Sequence, residues 1–228
     1  MDEVNDFWGD GVHILAIAGS LRRGSYNRGL LHAAQELAPG EPVIEIAEMH
    51  GLPVFDEDLE REGWPEAVMT LRSKAYGTDG ILFGVPEYNY GIAGSLKNAF
   101  DWMSRPEGAG GHSAPDAGSG YTVPKNPFMD KPCAMLGASL GLGGTIRAQL
   151  QLRQSLQLNG ALTMPGPEVF CTYASTKFDG DARLTDDPTR KAVRALMAAF
   201  VDWIVRMAPE RSPQSEHPPL QAGGPAPS

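Results

Sequence analysis

The chain has 228 residues, a formal net charge of −9, 42% apolar and 21% charged residues, which is the balance of a soluble domain with one sizeable core. That acidity disfavours nucleic acid and anionic lipid surfaces as partners, and no apolar run approaches the roughly 18 residues of a membrane span. The five histidines and two cysteines lack metal-ligand or disulfide-framework spacing, and Cys133 and Cys171 read as buried thiols in apolar runs.

Residues 1–11, "MDEVNDFWGDG", form an acidic extension without a basic leader or an apolar stretch. A cytoplasmic protein is expected. One domain is expected over 12–208, beginning with a strand at 12–18. The loop "GSLRRGSYN" follows, then a helix from about 27 to 37 with Leu30, Ala34 and Leu37 on one face. Strand, small-residue loop, helix start is the order that builds an anion site. Gly19 and Gly24 turn the backbone, Ser20, Ser25 and Asn27 offer short polar groups, and Arg22 or Arg23 adds charge beside the free N–H groups of the helix start. The dinucleotide fingerprint GxGxxG is absent, and no lysine precedes Ser25 as a nucleoside-triphosphate loop requires.

The run "PVIEIAEM" (42–49) predicts a second strand at a half-exposed edge, "LPVFDEDLE" a loop, and 65–76 a helix with Val68, Leu71 and Ala75 on one side. A third strand at 80–85 leads into "PEYNYGIAGSLKNAFDW" and a helix over about 95–104. Pro86 stiffens that loop and Gly91 and Gly94 keep its backbone accessible. Tyr88 and Tyr90 present flat surfaces and Glu87 and Asn89 polar contacts, which suits a planar heterocycle with polar edges.

Residues 107–126 are rich in Gly, Ser and Pro and read as a flexible insertion at the amino edge of the sheet, away from the chain's own ligand site. A strand at 132–138, the loop "GASLGLGGT" and a helix at 144–158 come next. Ser139, Gly141, Gly143 and Gly144 make a loop that either lets a flat ring approach or packs helix closely on sheet. Arg147 and Arg153 are either solvated or pair across an oligomer interface. A fifth strand lies in "PGPEVFCTY", and a helix over 187–207 carries Val193, Leu196, Met197, Phe200, Val201 and Ile204 on one stripe. The Pro-rich tail 209–228 reads as disordered.

Strands alternating with crossover helices predict an α/β, three-layer αβα, flavodoxin-like doubly wound fold with a five-stranded parallel sheet. Ligands in such sheets sit beyond the carboxyl ends of the strands. The unusual loops, after the first, third and fourth strands, all emerge there.

Through "GSLRRGSYNRGL", "LPVFDEDLE", "PEYNYGIAGSLKNAFDWMSRP" and "GASLGLGGTIRAQLQLRQ", the chain resembles the NADPH-dependent FMN reductase family, which includes bacterial chromate and quinone reductases. The likeness spans roughly residues 13–207 and departs from the family at the 107–126 insertion and the tail. It implies non-covalent FMN, with Ser20, Arg22, Ser25 and Asn27 at the phosphate and Tyr26 supplying backbone beside them. It places Pro86, Glu87, Tyr88, Asn89 and Gly91 at the isoalloxazine and ribityl part, and Ser139 with Gly141 to Gly144 on the third wall. It further implies hydride transfer from NADPH (or NADH) to a small-molecule acceptor such as a quinone, azo compound or chromate, with no side-chain catalyst, and assembly as a homodimer or homotetramer. The competing reading is a flavodoxin-type FMN electron carrier without NAD(P)H turnover.

Overall fold

The computed structural model describes residues 11–47, 49–106 and 125–208. All but Gly11 of the expected N-terminal extension, nearly all of the 107–126 insertion and the whole 209–228 tail lie outside them. In chain order the elements are β1 (His13–Ala18), α1 (Tyr26–Leu37), β2 (Val43–Ala47), α2 (Glu57–Glu62), α3 (Glu66–Tyr76) and β3 (Gly80–Gly84). A small hairpin of β4 (Glu87–Tyr88) and β5 (Gly91–Ile92) follows, then α4 (Gly94–Met103), β6 (Pro132–Ala138), α5 (Ile146–Leu158), β7 (Leu162–Thr163), β8 (Val169–Cys171) and α6 (Asp187–Met207).

The sheet order is β2-β1-β3-β6, with β7 and β8 both paired to β6, and every pairing is parallel. β3 and β6 are buried along their whole length, as continuous apolar runs between two helical layers should be. β2 lies at an edge and exposes Val43 and Glu45 while burying Ile44. One face of the sheet packs Leu30, Leu31 and Ala34 of α1 against Val193, Met197 and Phe200 of α6. The other packs Leu71 of α3, Leu96 and Phe100 of α4, and Ala148, Leu152 and Leu156 of α5. This is the doubly wound, flavodoxin-like architecture that the alternation of elements predicts.

Three helices, α1, α2 and α6, begin where short polar side chains satisfy their first N–H groups. The Ser25 hydroxyl accepts from Arg28 N at 3.3 Å and starts α1. The Asp186 carboxylate accepts from Thr189 N at 2.9 Å and starts α6, with Pro188 in its first turn.

Two expectations are corrected. The stretch "LPVFDEDLE" is not wholly loop, because its end forms α2, capped by Asp56 accepting from Asp58 N at 2.8 Å. Its charged first turn has no apolar periodicity to betray a helix. The strand expected in "PGPEVFCTY" is only β8, beside Leu136 to Ala138, and a separate piece ahead of that run, β7, lies beside Pro132 and Cys133. Pro165 and Pro167 lie between them, and proline cannot donate to a ladder.

Candidate active site

The loops leaving β1, β3 and β6 are laced together at the carboxyl edge of the sheet. Gly19 N donates to Gly84 O at 2.8 Å, and the Ser95 hydroxyl donates to Gly19 O at 2.6 Å. A methyl group on Gly19 would meet Pro86 Cδ and come within 2.9 Å of Gly84 O, so only glycine permits this approach. Asn27 joins the first loop to the third: its Nδ2 donates to Ala138 O at 3.1 Å and its Oδ1 accepts from Ala138 N at 2.9 Å. Glu87 joins the second loop to the third. Its Oε2 accepts from Arg147 N at 3.0 Å and Ala148 N at 3.1 Å, and its Oε1 lies 3.6 Å from Arg147 Nη1.

The predicted cofactor-binding residues therefore lie on or beside loops at one edge, but many of their side chains brace the loops. Ser25 caps α1, Asn27 has both ends of its amide on Ala138, and Ser20 Oγ accepts from Arg22 N at 3.4 Å. Ser139 Oγ donates to Gly141 O at 3.2 Å and accepts from Gly144 N at 3.1 Å. The loop glycines divide. Gly141 faces open space and Gly143 meets chiefly the Arg147 side chain. Gly144, at φ +54°, lies flat on Phe170, where a Cβ would come within 2.8 Å.

What the first loop offers outward is backbone. Among the described residues the N–H groups of Arg23, Gly24, Ser25, Tyr26 and Asn27 have no acceptor, although Ser25 and Asn27 are buried. Buried amides are almost always paired, and successive unpaired ones at a helix start form an anion-binding concavity. The Arg22 guanidinium lies 5.3 Å over the Tyr26 ring, which packs in turn on Phe178. A phosphate therefore fits this loop by the chemistry of its donors.

The second loop closes as a hairpin whose turn residues, Asn89 at φ +50° and Tyr90 at φ +62°, are both left-handed. Two positive φ values are what a tight two-residue hairpin demands. Asparagine tolerates this and tyrosine does so at a cost. Tyr88 and Tyr90 are 58% and 68% exposed, and Leu140 and Leu142 of the third loop are 66% and 75% exposed. Flat and apolar surface is thus presented by the second and third loops at the same sheet edge as the first.

With that geometry in place, similarity to known proteins is decisive. The sequence profile described as NADPH-dependent FMN reductase matches residues 12–176. The chain belongs to that family. It is 40% identical to an NAD(P)H-dependent FMN reductase of Pseudomonas aeruginosa over 87% of this chain and 98% of that one. It is 38% identical to an NAD(P)H:quinone oxidoreductase of Solanum tuberosum, covering 83% of this chain and 91% of that one. Among solved structures, FerB, a flavoenzyme NAD(P)H:(acceptor) oxidoreductase from Paracoccus denitrificans, superposes with a TM-score of 0.72 at 31% identity, covering 86% of this chain and 98% of that one.

Several contributors escaped the sequence reading. Ser95, which ties α4 to the first loop, sits in a motif read for its proline, glycines, tyrosines, Glu87 and Asn89. Gln151 of α5 holds the hairpin, its Oε1 accepting from Ile92 N at 3.1 Å and its Nε2 donating to Tyr90 O at 3.3 Å. Arg147, left open between solvent and a subunit interface, lies 4.0 Å over the Tyr90 ring. Arg153 pairs with Glu168 at 3.6 Å and donates to Met164 O at 3.0 Å. Both thiols are buried, and burial raises both pKa values, with Cys133 displaced furthest. Among the described residues no group of His, Cys, Asp or Glu could hold a metal ion, and no helix is long and apolar enough to cross a membrane.

Proposed function

We propose that the chain moves a hydride equivalent from NAD(P)H to quinones through FMN held at the carboxyl edge of the sheet. The observation that carries this reading is the row of acceptorless amides at residues 23–27 beside Arg22 and Arg23. In this reading those amides and Arg22 hold the phosphate, while the Ser20, Ser25 and Asn27 side chains keep the loop in shape. The hairpin backbone from Pro86 to Gly91 borders the ring, and Ser139, Gly141, Gly143 and Gly144 form the opposing wall. Bound FMN supplies two-electron chemistry that no side chain here can supply. The protein's task is to bind, orient and shield, so a nucleophile or dedicated acid is not needed.

Quinones suit the exposed Tyr88, Tyr90, Leu140 and Leu142 surface. Chromate, a dianion, meets a protein of net charge −9, and that repulsion predicts a chromate KM that falls as salt screens it while quinone kinetics hold steady. A homodimer through the outer face of α5 is part of the reading. Ile146, Leu150 and Leu158 are exposed there beside Gln151, Gln154 and Gln157, with Arg147 among them, a strip without acidic groups where two acidic copies can meet. Leu150→Glu should lower the sedimenting mass. Two unpaired cysteines accord with a reducing cytoplasm.

The test is an anaerobic absorbance titration of purified protein reconstituted with FMN. Bands near ~375 and ~450 nm, typical of oxidised flavin, should bleach with NADPH and return with quinone. Flavin bands that NADPH cannot bleach indicate an electron carrier, and failure to retain FMN overturns the assignment of the loops.

A further inference from the structure

The β4–β5 hairpin belongs to no larger sheet, and its turn holds Tyr90 in a conformation that tyrosine disfavours. Something outside the hairpin must hold it, and the contacts lead to one helix. Glu87 on the first strand accepts the N–H groups of Arg147 and Ala148 at the start of α5. Gln151, one turn further along α5, bonds both Ile92 N and Tyr90 O on the returning arm. Arg147 completes the ring of contacts, approaching Glu87 Oε1 at 3.6 Å and lying over the Tyr90 ring at 4.0 Å.

α5 lacks a cap of its own. Thr145 occupies the N-cap position at φ +71° and makes no side-chain cap bond. Its hydroxyl faces inward and accepts from Gln149 Nε2 at 3.0 Å. The carboxylate that satisfies the first turn of α5 comes from 60 residues earlier in the chain. A negative group at a helix start is favoured by the partial positive charge there, so the attraction that completes α5 also fixes the hairpin. The Glu87 side chain is 9% exposed, and water competes little for it. Meanwhile the N–H groups of Asn89 and Tyr90 have no acceptor among the described residues.

We propose that Glu87 is a positioning residue: by capping α5 from the second loop it fixes the Asn89 and Tyr90 amides in the orientation in which they meet the flavin ring. Gln151 acts with it on the other arm. The inference rests on the reading above that this hairpin borders the flavin. It assigns the Glu87 carboxylate to α5 rather than to the cofactor, and it makes flavin affinity and flavin potential depend on a bond the cofactor does not touch.

The experiment compares Glu87→Ala, Glu87→Gln and Gln151→Ala with Asp186→Ala, which removes the cap of α6 on the opposite face of the sheet. Readouts are the FMN dissociation constant from flavin fluorescence, the midpoint potential of the bound flavin, and apo-protein melting. Glu87→Gln keeps an oxygen for the two amides and loses only the ion pair, so it should stay within about threefold of the parent in FMN affinity. Glu87→Ala should weaken FMN about tenfold and shift the midpoint potential, whereas Asp186→Ala should lower melting alone. Should Glu87→Ala not fold, Gln151→Ala frees one arm with the cap of α5 intact and should weaken FMN several-fold. If the parent binds FMN tightly but Glu87→Ala, or Gln151→Ala in its place, changes melting without changing affinity or potential, the inference is overturned. If the parent itself fails to bind FMN, the functional reading is at fault instead.

Discussion

Replacing Asn27 with alanine tests whether its amide braces the site or serves the ligand. Asn27 is 5% exposed, and its side chain makes two bonds to the backbone of Ala138, itself 5% exposed. Alanine deletes both bonds and leaves a buried N–H and C=O on β6, each costing about 1–3 kcal/mol when orphaned. Partial relaxation brings the expected loss to about 3 kcal/mol, or roughly 6–12 °C in Tm for a domain of this size. The assay is thermal and urea unfolding of the apo-protein, followed by FMN titration of the folded variant. Because the N–H of residue 27 survives the change, FMN affinity should fall less than in Arg22→Ala. Asn27→Asp adds a sign test. One carboxylate oxygen can still accept from Ala138 N–H, but the other faces Ala138 O, so the folded state raises the pKa of the new acid. A raised carboxyl pKa gives a relative stability that is greatest at low pH and declines as pH climbs through the folded value. A melting temperature for Asn27→Ala within about 2 °C of the parent would refute the bracing argument.

Acid unfolding should begin at the seam between α1 and α6. The Thr189 hydroxyl and N–H hold the Asp186 carboxyl below the usual carboxylate range, and a hydrogen bond from Arg190 does the same for Glu36. Depressed pKa values contribute stability above the unfolded value of about 4 that is lost as pH falls through the folded one. The double variant Asp186→Asn, Glu36→Gln should therefore show a flatter urea midpoint between about pH 5 and pH 3; an acid limb as steep as the parent's contradicts this. Cys133 and Cys171, buried with raised pKa values, should resist Ellman's reagent in the native protein and both react in guanidinium; rapid native labelling would show an open route to β6 or β8. Gly137→Ala would drive a methyl group onto Thr145 Oγ1 and within 2.6 Å of Val85 O, at about 3 kcal/mol or more, and a urea midpoint like the parent's would show that the loop can shift aside.

Much of this was legible in the letters. Apolar runs such as "ILAIA" and "CAMLGA" are buried on both faces and announce parallel strands, and "GSLRRGSYN" shows its polarity and its helix start together. The bracing roles of Asn27 and Glu87 were not legible, because each depends on a partner across the sheet edge: Ala138, 111 residues away, and Arg147, 60 residues away. Sequence identifies which residues are short, polar or flat; it does not say which of their atoms a neighbouring loop engages. The helix α2 was hidden for another reason, since "EDLERE" carries charge rather than apolar period.

The broken fifth strand has a consequence for edge-to-edge pairing of the sheet with other chains. A continuous parallel edge would offer an unpaired row of N–H and C=O groups to any other extended chain. Here the ladder is interrupted after Thr163, and proline removes donors at 165 and 167. Two carbonyls just before the prolines are taken by side chains: Trp203 Nε1 donates to Leu162 O at 2.8 Å and Arg153 to Met164 O at 3.0 Å. At the opposite edge β2 places the charged Glu45 in the row, paired to Lys74 at 2.5 Å. Both margins of the sheet are thus blunted against amyloid-like growth.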